Sequence, residues 1–382
     1  MIDPKKIFTV AILVDTTTSW SRSLISGILK YTREHGPWHI HLEAQPIDDK
    51  LHLPKNWNGN GIIARISTEK LGQQIDATGA KTVNISSIVL ETDHWPRVIT
   101  GAESEARMAF DALRSRGFRQ FAYAGDTRLL HVNSLRRAFE NTVSSAGYRL
   151  QVSPPEPEKL EAWLRTLPKP AAIYCWGPAL GHEIIDTCMN MGIRVPHDVA
   201  VLGSNYDELL SEASYPPQAG IRMATEQIGM TAASLLDDMM RGKKPKKMLW
   251  NLEPLGVVEK LSIDTLAVED RRMADVMRFL NAHALGPISV PDILKANPMA
   301  RRSLERKFHQ LFGCSIIEHI HRLRVDHART LLADTDDPVT LIAEKCHFSC
   351  HNYLNRIFKQ STGLSPSQYR SQFRNAKSSL NS

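Results

Sequence analysis

The feature that most constrains the fold of this chain is an internal repeat near its carboxyl end. Residues 304–315 match residues 354–365 at a fixed offset of 50, with Leu, Arg, Phe, Gln, Gly and Ser recurring in the same order. A Leu and a Phe four positions apart share one face of a helix, and a glycine commonly ends a helix in the left-handed conformation. The repeat therefore predicts two similar helices, each with a buried Leu–Phe pair and a closing glycine.

A shorter amphipathic segment and a tight turn precede each copy of the repeat. Apolar residues within 290–294 precede a turn at 296–298, and apolar residues within 339–343 precede a turn at 346–348. A short helix, a turn and a longer helix with polar outer residues make a helix-turn-helix unit. We expect Ser349 to cap the long helix of the second unit. The sequence thus predicts two such units in tandem.

The outward residues of the two long helices are suited to duplex DNA. Arginine can fork onto guanine and asparagine onto adenine in the major groove, whereas lysine suits phosphates. Arg306 and Arg356 are equivalent in the two copies, which favours a shared phosphate or structural role over base reading. The alternative for each residue is an ordinary solvated helix face. The DNA-binding candidates are Arg301, Arg302, Glu305, Arg306, Lys307, His351, Asn352, Asn355, Arg356 and Lys359.

One continuous helix is predicted between the copies, over residues 315–333, because apolar residues recur there with helical spacing. At about 1.5 Å per residue such a helix spans about 28 Å. That length is close to the ~34 Å that separates successive major-groove faces on one side of DNA. A rigid spacer of this kind would let one monomer engage two adjacent grooves.

Charge is distributed unevenly along the chain. Residues 271–382 carry 17 Lys and Arg against 9 Asp and Glu, whereas residues 1–270 carry 30 against 32. A near-neutral body with a basic end indicates that only the end meets a polyanion. A solvated basic surface is the alternative that charge alone leaves open.

Residues 1–260 alternate short apolar runs with helical patterns. This rhythm predicts βαβ units and parallel sheets covered on both faces. Strands are expected at 7–14, 39–43, 61–66, 81–85, 121–124, 171–176 and 199–203. Helices are expected at 20–35, 103–116, 135–146, 179–191 and 225–241.

The strand ends of this α/β region suggest a binding site and no reaction. Ligands of such folds bind beyond the carboxyl ends of the strands. No phosphate-binding loop and no G-x-G-x-x-G pattern follows a strand, so no cofactor is expected. No Ser/His/Asp or Cys/His set with interpretable spacing is present, so no catalytic residue is assigned and no enzyme is expected. The candidate ligand residues are Asp15, Trp20, Arg65, Trp176 and Asn205, with core packing as the alternative for both tryptophans.

Cysteine usage and hydropathy bear on location. Five scattered cysteines, an odd number, favour a reducing compartment over a disulfide scaffold. No apolar run approaches the ~18 residues of a membrane helix, so a cytoplasmic, nucleoid-associated protein without a membrane partner is expected. Cys346, His347, Cys350 and His351 could in principle bind a metal. Cys346 falls on a core position of the turn, however, and no metal site is assigned.

Residues from about 274 to 370 resemble the DNA-binding domain of the arabinose-operon regulator (AraC) family. The resemblance rests on both repeat copies, on the helix motif at 324–332 and on the closing motif at 363–370. Two positions depart from the family pattern: Ala300 replaces a capping Ser, and His347 replaces a turn Gly. The resemblance implies a sequence-specific transcription regulator, an activator, that binds double-stranded DNA and RNA polymerase.

The front region resembles the sugar-binding module of lactose-repressor-type proteins, so the whole chain is similar to the xylose-operon-regulator branch of the AraC family. The supporting stretches lie at 20–28, 34–38, 61–65, 116–118, 167–170, 195–203 and 254–257. This resemblance implies a homodimer, regulation of carbohydrate-related genes, and a sugar-like ligand that closes two lobes. The pocket departs from the xylose pattern at several positions, among them 101–102, 176–178, 205–206 and 218–220. We therefore expect weak xylose binding or none, and a ligand-independent regulator with a vestigial pocket is the alternative.

The sequence thus predicts a two-lobed, periplasmic-binding-protein-like α/β domain followed by an all-α double helix-turn-helix domain. The expected bounds are 1–263 for the ligand-sensing domain, 264–272 for a linker, 273–374 for the DNA-binding domain and 375–382 for a disordered tail.

Overall fold

The computed structural model describes residues 7–42, 51–265 and 270–374 of the 382-residue chain. The chain divides into two compact units. The first takes the chain up to Ser104 and again from Met223 to Pro254, and the second holds Glu105–Arg222 and Leu255–Arg374. Part of the expected linker, residues 266–269, and the expected tail at 375–382 lie outside the described residues.

The first unit is built on a six-stranded parallel sheet. Its elements, numbered along the whole chain, are β1 (Thr9–Leu13), α1 (Ser19–His35), β2 (His39–Leu42), β3 (Gly61–Ala64), α2 (Glu69–Asp76), β4 (Lys81–Asn84), β5 (Arg97–Thr100), α8 (Thr225–Met240) and β11 (Leu249–Leu252). The strand order is β11-β5-β4-β3-β1-β2. The central strand β3 is buried along its whole length, which explains its unbroken apolar sequence.

Helices α1 and α8 cross with their backbones in direct contact. A Cβ atom on Gly27 would lie 1.9 Å from the carbonyl oxygen of Glu226, and one on Gly229 would lie 2.1 Å from that of Leu24. Only glycine permits so close an approach at these two positions. The first unit is therefore closed by a helix pair whose spacing is set by two missing side chains.

The front part of the second unit, which we call the second lobe (residues 105–222 and 255–263), contains another six-stranded sheet. Its elements are α3 (Ala102–Arg114), β6 (Gln120–Ala124), α4 (Leu130–Ser145), β7 (Leu150–Val152), α5 (Leu160–Thr166), β8 (Ala171–Cys175), α6 (Gly177–Asn190), β9 (Val199–Gly203), α7 (Glu208–Ala213), β10 (Ala219–Arg222) and β12 (Gly256–Val258). The strand order is β12-β10-β9-β8-β6-β7.

One strand of the second lobe departs from the expected parallel arrangement. Strand β12 pairs antiparallel with β10, whereas the other pairings in this sheet are parallel. Because β12 lies at the sheet edge and follows no crossover helix of its own, it can join in either direction. The five expected helices and seven expected strands are present, most of them with shifted ends. The additional elements are β5, β7, β10, β11, β12, α2, α5 and α7.

The rest of the second unit is helical. Its elements are α9 (Arg271–His283), α10 (Val290–Ala296), α11 (Arg301–Phe312), α12 (Ile316–Asp334), α13 (Val339–Lys345), α14 (His351–Thr362) and α15 (Pro366–Arg374). Helix α9 begins two residues inside the segment that the sequence assigns to the linker. In the described part of the chain, no helix is long and apolar enough to cross a membrane.

Two separate hydrophobic cores support these helices, and α12 contributes to both. The first core contains Met277, Leu280, Ile293, Leu304, Phe308, Phe312, Ile316 and Ile320. The second contains Val325, Ala328, Leu332, Ile342, Ala343, Leu354, Phe358 and Tyr369. The Leu–Phe pairs of the repeat are thus buried as predicted, one pair in each core.

The glycines of the repeat cap the carboxyl ends of α11 and α14 as expected, whereas the start of α14 differs from the prediction. Gly313 and Gly363 end α11 and α14 with φ of 69° and 76°, which is the left-handed conformation that glycine favours. Ala300 gives α11 no side-chain cap, and His347 has a φ of 52°. The prediction that Ser349 caps α14 is wrong: the helix begins at His351 and its N-cap is Cys350.

Candidate nucleic-acid interface

Helix α11 presents a charged face because its apolar stripe is held in the first core. Leu304 and Phe308 are fully buried, and Arg301, Arg302, Glu305 and Arg306 are exposed. Arg301 Nε lies 2.9 Å from a carboxylate oxygen of Glu305, four residues along the helix. All of the outward candidates of the first copy except Lys307 therefore share one accessible surface.

Lys307 has a structural partner that is distant in the sequence. Its Nζ atom lies 2.7 Å from a carboxylate oxygen of Asp270, which caps the start of α9. The hydrogen bond from Lys307 lowers the pKa of the Asp270 carboxyl. Lys307 thus ties α11 to α9, and phosphate binding by this residue stays a prediction.

Helix α14 presents amide and basic side chains in the same way. Leu354 and Phe358 are fully buried. His351, Asn352, Arg356 and Lys359 are exposed, and Asn355 is half-buried. The guanidinium of Arg356 stands 4.9 Å from the centre of the Tyr353 ring, a cation–π contact that holds it close to the helix surface. Helix α14 therefore exposes one amide and two cations, those of Asn352, Arg356 and Lys359.

Helix α12 is the connecting helix expected between the two helix-turn-helix units. It runs from Ile316 to Asp334, and Ser315 and Glu318 form a reciprocal capping box at its start. Arg324, in the middle of this helix, donates hydrogen bonds to the carbonyl oxygens of Ala284, Gly286 and His347 at 2.6–2.8 Å. Through this one side chain, α12 is hydrogen-bonded both to the loop between α9 and α10 and to the turn between α13 and α14. In the sequence alone, Arg324 stands out only as part of the family motif at 324–332.

A buried histidine lies beside the first core. Arg322 donates to Nδ1 of His319 at 2.7 Å, and Nε2 of His319 lies 3.3 Å from the side-chain oxygen of Asn281. Because arginine can only donate, Nδ1 is the acceptor and the imidazole is neutral. Burial and the charges of Arg322 and Arg116 lower the pKa of His319 to about 3.

Of the four residues of the cysteine–histidine cluster at 346–351, only Cys346 lies in a core, whereas His347, Cys350 and His351 are exposed. Cys346 is fully buried in the second hydrophobic core, and burial raises the pKa of its thiol to about 12. Metal binding needs the thiolate, which this environment disfavours. Among the described residues no group of three or more His, Cys, Asp or Glu side chains could hold a metal ion.

Three candidate ligand residues meet in the first unit. Asp15 follows β1 and accepts hydrogen bonds from Thr17 and Ser21. The guanidinium of Arg65, which follows β3, stands 5.8 Å from the centre of the Trp20 ring. Burial lowers the pKa of Arg65, and the charge of Asp15 opposes this effect. A carboxylate, a cation and an indole are therefore grouped at the carboxyl edge of this sheet.

The other two candidates lie in the second lobe, each after a central strand. Trp176 follows β8 and packs edge-to-face on His131 at 5.0 Å, and Asn205 follows β9. Both are only half-buried. Gln218, which precedes β10, was not singled out individually. It is buried, and neither atom of its amide has a hydrogen-bond partner among the described residues.

Comparison with known protein families supports both parts of this architecture. A model of the periplasmic binding protein-like domain matches residues 110–263, and a model of a helix-turn-helix domain matches residues 294–372. The HTH-type transcriptional activator RhaR of Yersinia pseudotuberculosis is 30% identical over 105 residues, which cover 27% of this chain and 36% of that protein.

Two relatives match nearly the full length. The xylose operon regulatory protein of Escherichia coli is 24% identical over 94% of this chain and 96% of its own, and that of Haemophilus influenzae is 24% identical over 96% and 99%. The solved structure of a xylose-binding transcription activator, 23% identical, covers 96% of this chain and 98% of its own with a TM-score of 0.61. These relatives are transcription regulators and not enzymes. The chain is homologous to the xylose operon regulatory proteins, and its periplasmic-binding-protein-like domain followed by an AraC-type helix-turn-helix domain makes it a DNA-binding transcription regulator.

Proposed function

We propose that α11 and α14, the two reading helices, enter adjacent major grooves on one side of a duplex and read its sequence. The observation that carries this proposal is the matched burial of Leu304 and Phe308 in one core and of Leu354 and Phe358 in the other. Each pair turns the opposite, polar face of its helix to solvent. Because α12 contributes to both cores, the two faces are held by one rigid element.

The test uses the full chain and random-sequence duplexes. Selection of bound sequences should return two conserved half-sites one helical turn apart, about 10 base pairs from centre to centre. With about five or six cations on phosphates or bases, the logarithm of affinity should fall against that of salt concentration with a slope of about −5. A single half-site, or binding with no salt dependence, would contradict the proposal.

We also propose that the protein is a cytoplasmic homodimer that activates transcription with RNA polymerase. Support comes from its relatives, two of which are named as transcription activators. Sedimentation of the free chain should give twice the monomer mass. Run-off transcription from a template with the selected site should rise when the protein is added, and a fall in transcription would indicate a repressor.

We propose finally that a sugar-like small molecule binds the front domain and that the controlled genes serve carbohydrate use. The group of Asp15, Trp20 and Arg65 supports this, because sugars are bound by charged groups together with aromatic rings. A named relative of known structure binds xylose. The second candidate is a regulator with no ligand. It is favoured by the satisfied state of Asp15, whose carboxylate already bonds Thr17 and Ser21.

A further inference from the structure

The second lobe contacts the helical domain at the end of its first reading helix. Arg119, directly before β6, donates from Nη2 to the carbonyl oxygen of Gln310 at 2.9 Å, across 191 residues of sequence. Gln310 lies in the last turn of α11, where carbonyl groups have no partner within the helix. A guanidinium also suits the negative end of the helix dipole. The contact therefore satisfies a group that the helix itself leaves open.

A second arginine of the lobe lies directly over the glycine that ends α11. A Cβ atom on Gly313 would stand 1.7 Å from Nη2 of Arg114, so any larger residue would displace this guanidinium. The guanidinium of Arg114 is oriented from the other side by the rings of Phe110 and Tyr148, each 5.7 Å away. At Gly363, the equivalent residue of the second copy, no atom of the described residues other than the glycine's own chain neighbours lies within 4 Å of the same position.

The connecting helix continues this contact surface. Helix α12 packs on β12 of the second lobe. Burial raises the pKa of Asp111 in α3, and the positive charges of Arg322 and Arg329, both on α12, act against that rise together with Arg107 and Arg114. Arg329 is only 8% exposed. The charges of arginines on both α3 and α12 thus act on this carboxyl, as does the carboxyl of Asp326 on α12, whose pKa Asp111 raises.

We propose that the second lobe is an intramolecular docking surface for the first helix-turn-helix unit and the adjoining part of α12. Arg114 and Arg119 hold the end of α11, and β12 packs against α12. The front domain consequently sets the position of one reading helix, while the corresponding end of the other, at Gly363, has no such contact among the described residues. That this docking regulates DNA binding rests on the function proposed above.

The repeat supplies a matched pair of variants for the test. Gly313→Ala and Gly363→Ala impose the same backbone strain at equivalent helix ends, but only the first displaces Arg114. We expect hydrogen exchange of the full chain without DNA to rise about tenfold in residues 110–119 in Gly313→Ala and to stay at the wild-type rate there in Gly363→Ala. Unchanged exchange of this segment in Gly313→Ala would overturn the docking.

A milder variant keeps the test decisive if Gly313→Ala does not fold. Arg119 is exposed, so Arg119→Ala should leave the lobe intact and raise exchange about threefold in residues 310–313. Arg165→Ala, at another exposed arginine of the lobe, should leave those residues unchanged. Equal exchange there in wild type and in Arg119→Ala would count against the docking, whatever the first pair shows.

A DNA titration of the same proteins separates docking from the function on which its regulatory role depends. In Arg119→Ala we expect a three- to tenfold change in affinity for the selected site, with an unaltered salt slope. If the wild-type chain bound no DNA while the exchange pattern held, the proposed function would fail and docking would stand. If affinity stayed the same while exchange rose, docking would have no regulatory effect.

Discussion

Arg302 and Lys359 are both exposed cations on reading helices, yet their removal should have different effects. A guanidinium that forks onto a base contributes to one position of the site, so Arg302→Ala should relax preference there by about 1–3 kcal/mol. Lys359→Ala should weaken all sequences alike and reduce the salt slope by about one. Binding-site selection and salt titration measure the two effects. An unchanged selection profile for Arg302→Ala would remove its assignment as a base reader.

His319 gives the first helix-turn-helix unit a defined pH dependence. Its pKa is about 3 when folded and near 6.5 when unfolded. Between these values the unfolded chain binds a proton that the folded chain does not, so stability falls as pH drops below about 6.5. The slope approaches about 1.4 kcal/mol per pH unit.

We expect His319→Gln to remove this part of the pH dependence. Hydrogen exchange in α9 and α12, corrected for the intrinsic effect of pH, should show wild type losing about 1 kcal/mol between pH 7 and pH 5.5. His309→Gln, at an exposed histidine of α11, should behave as wild type. A variant with the same pH dependence as wild type would show that another group is responsible.

At the scale of elements, the two cores predict that the helix-turn-helix units can be unfolded separately. Phe358→Ala removes a fully buried ring from the second core, a loss of about 3–5 kcal/mol. We expect it to expose α13–α15 to exchange and to leave α9 and α10 protected. Phe308→Ala should do the opposite. The DNA footprint should shrink to one half-site in each variant. If either variant unfolded both helix-turn-helix units together, the two cores would form a single cooperative unit.

The same elements show how far sequence reasoning reaches. Leu304 and Phe358 could be predicted as buried because helical spacing and the repeat gave two independent signals. Strands β7 and β12 have three residues each, too few for an alternating or a continuous apolar pattern to be recognised. They form because neighbouring strands supply hydrogen-bond partners, which is information from elsewhere in the chain.

The residues of the candidate DNA-binding site could be predicted from the sequence to a similar extent. Outward residues of α11 and α14 follow from local periodicity, so they could be named in advance. The roles of Lys307 and Arg119 could not, because their partners lie 37 and 191 residues away. The position of the Ser349 cap was wrong because Phe348 enters the second core and the turn continues to Cys350.

For the whole molecule, the placement of tryptophan offers a direct view of ligand binding. All seven tryptophans precede residue 251, so their fluorescence reports the front domain alone. A ligand at one hundred times its Kd should stabilise that domain by about 2.7 kcal/mol. We expect a pentose, hexose or polyol other than xylose to raise the tryptophan-detected Tm by several degrees, and xylose itself to raise it little.

Arg65→Gln should abolish this shift, because it removes the cation beside Trp20 and Asp15. Arg194→Gln, which breaks an exposed ion pair with Asp198 in the second lobe, is the control and should respond as wild type. If no compound of the panel moved the transition, the regulator without a ligand would be the correct description.

Because the continuous helix α12 belongs to both cores, the two reading helices are joined by a rigid element that cannot follow a change in their target. One extra base pair between half-sites turns the second by about 35° and shifts it by about 3.4 Å. A flexible tether would absorb such a change, but a continuous helix cannot. Promoters served by this regulator should therefore keep the interval between their half-sites unchanged even where individual bases vary, and a single-nucleotide insertion there should silence an operator whose bases are all intact.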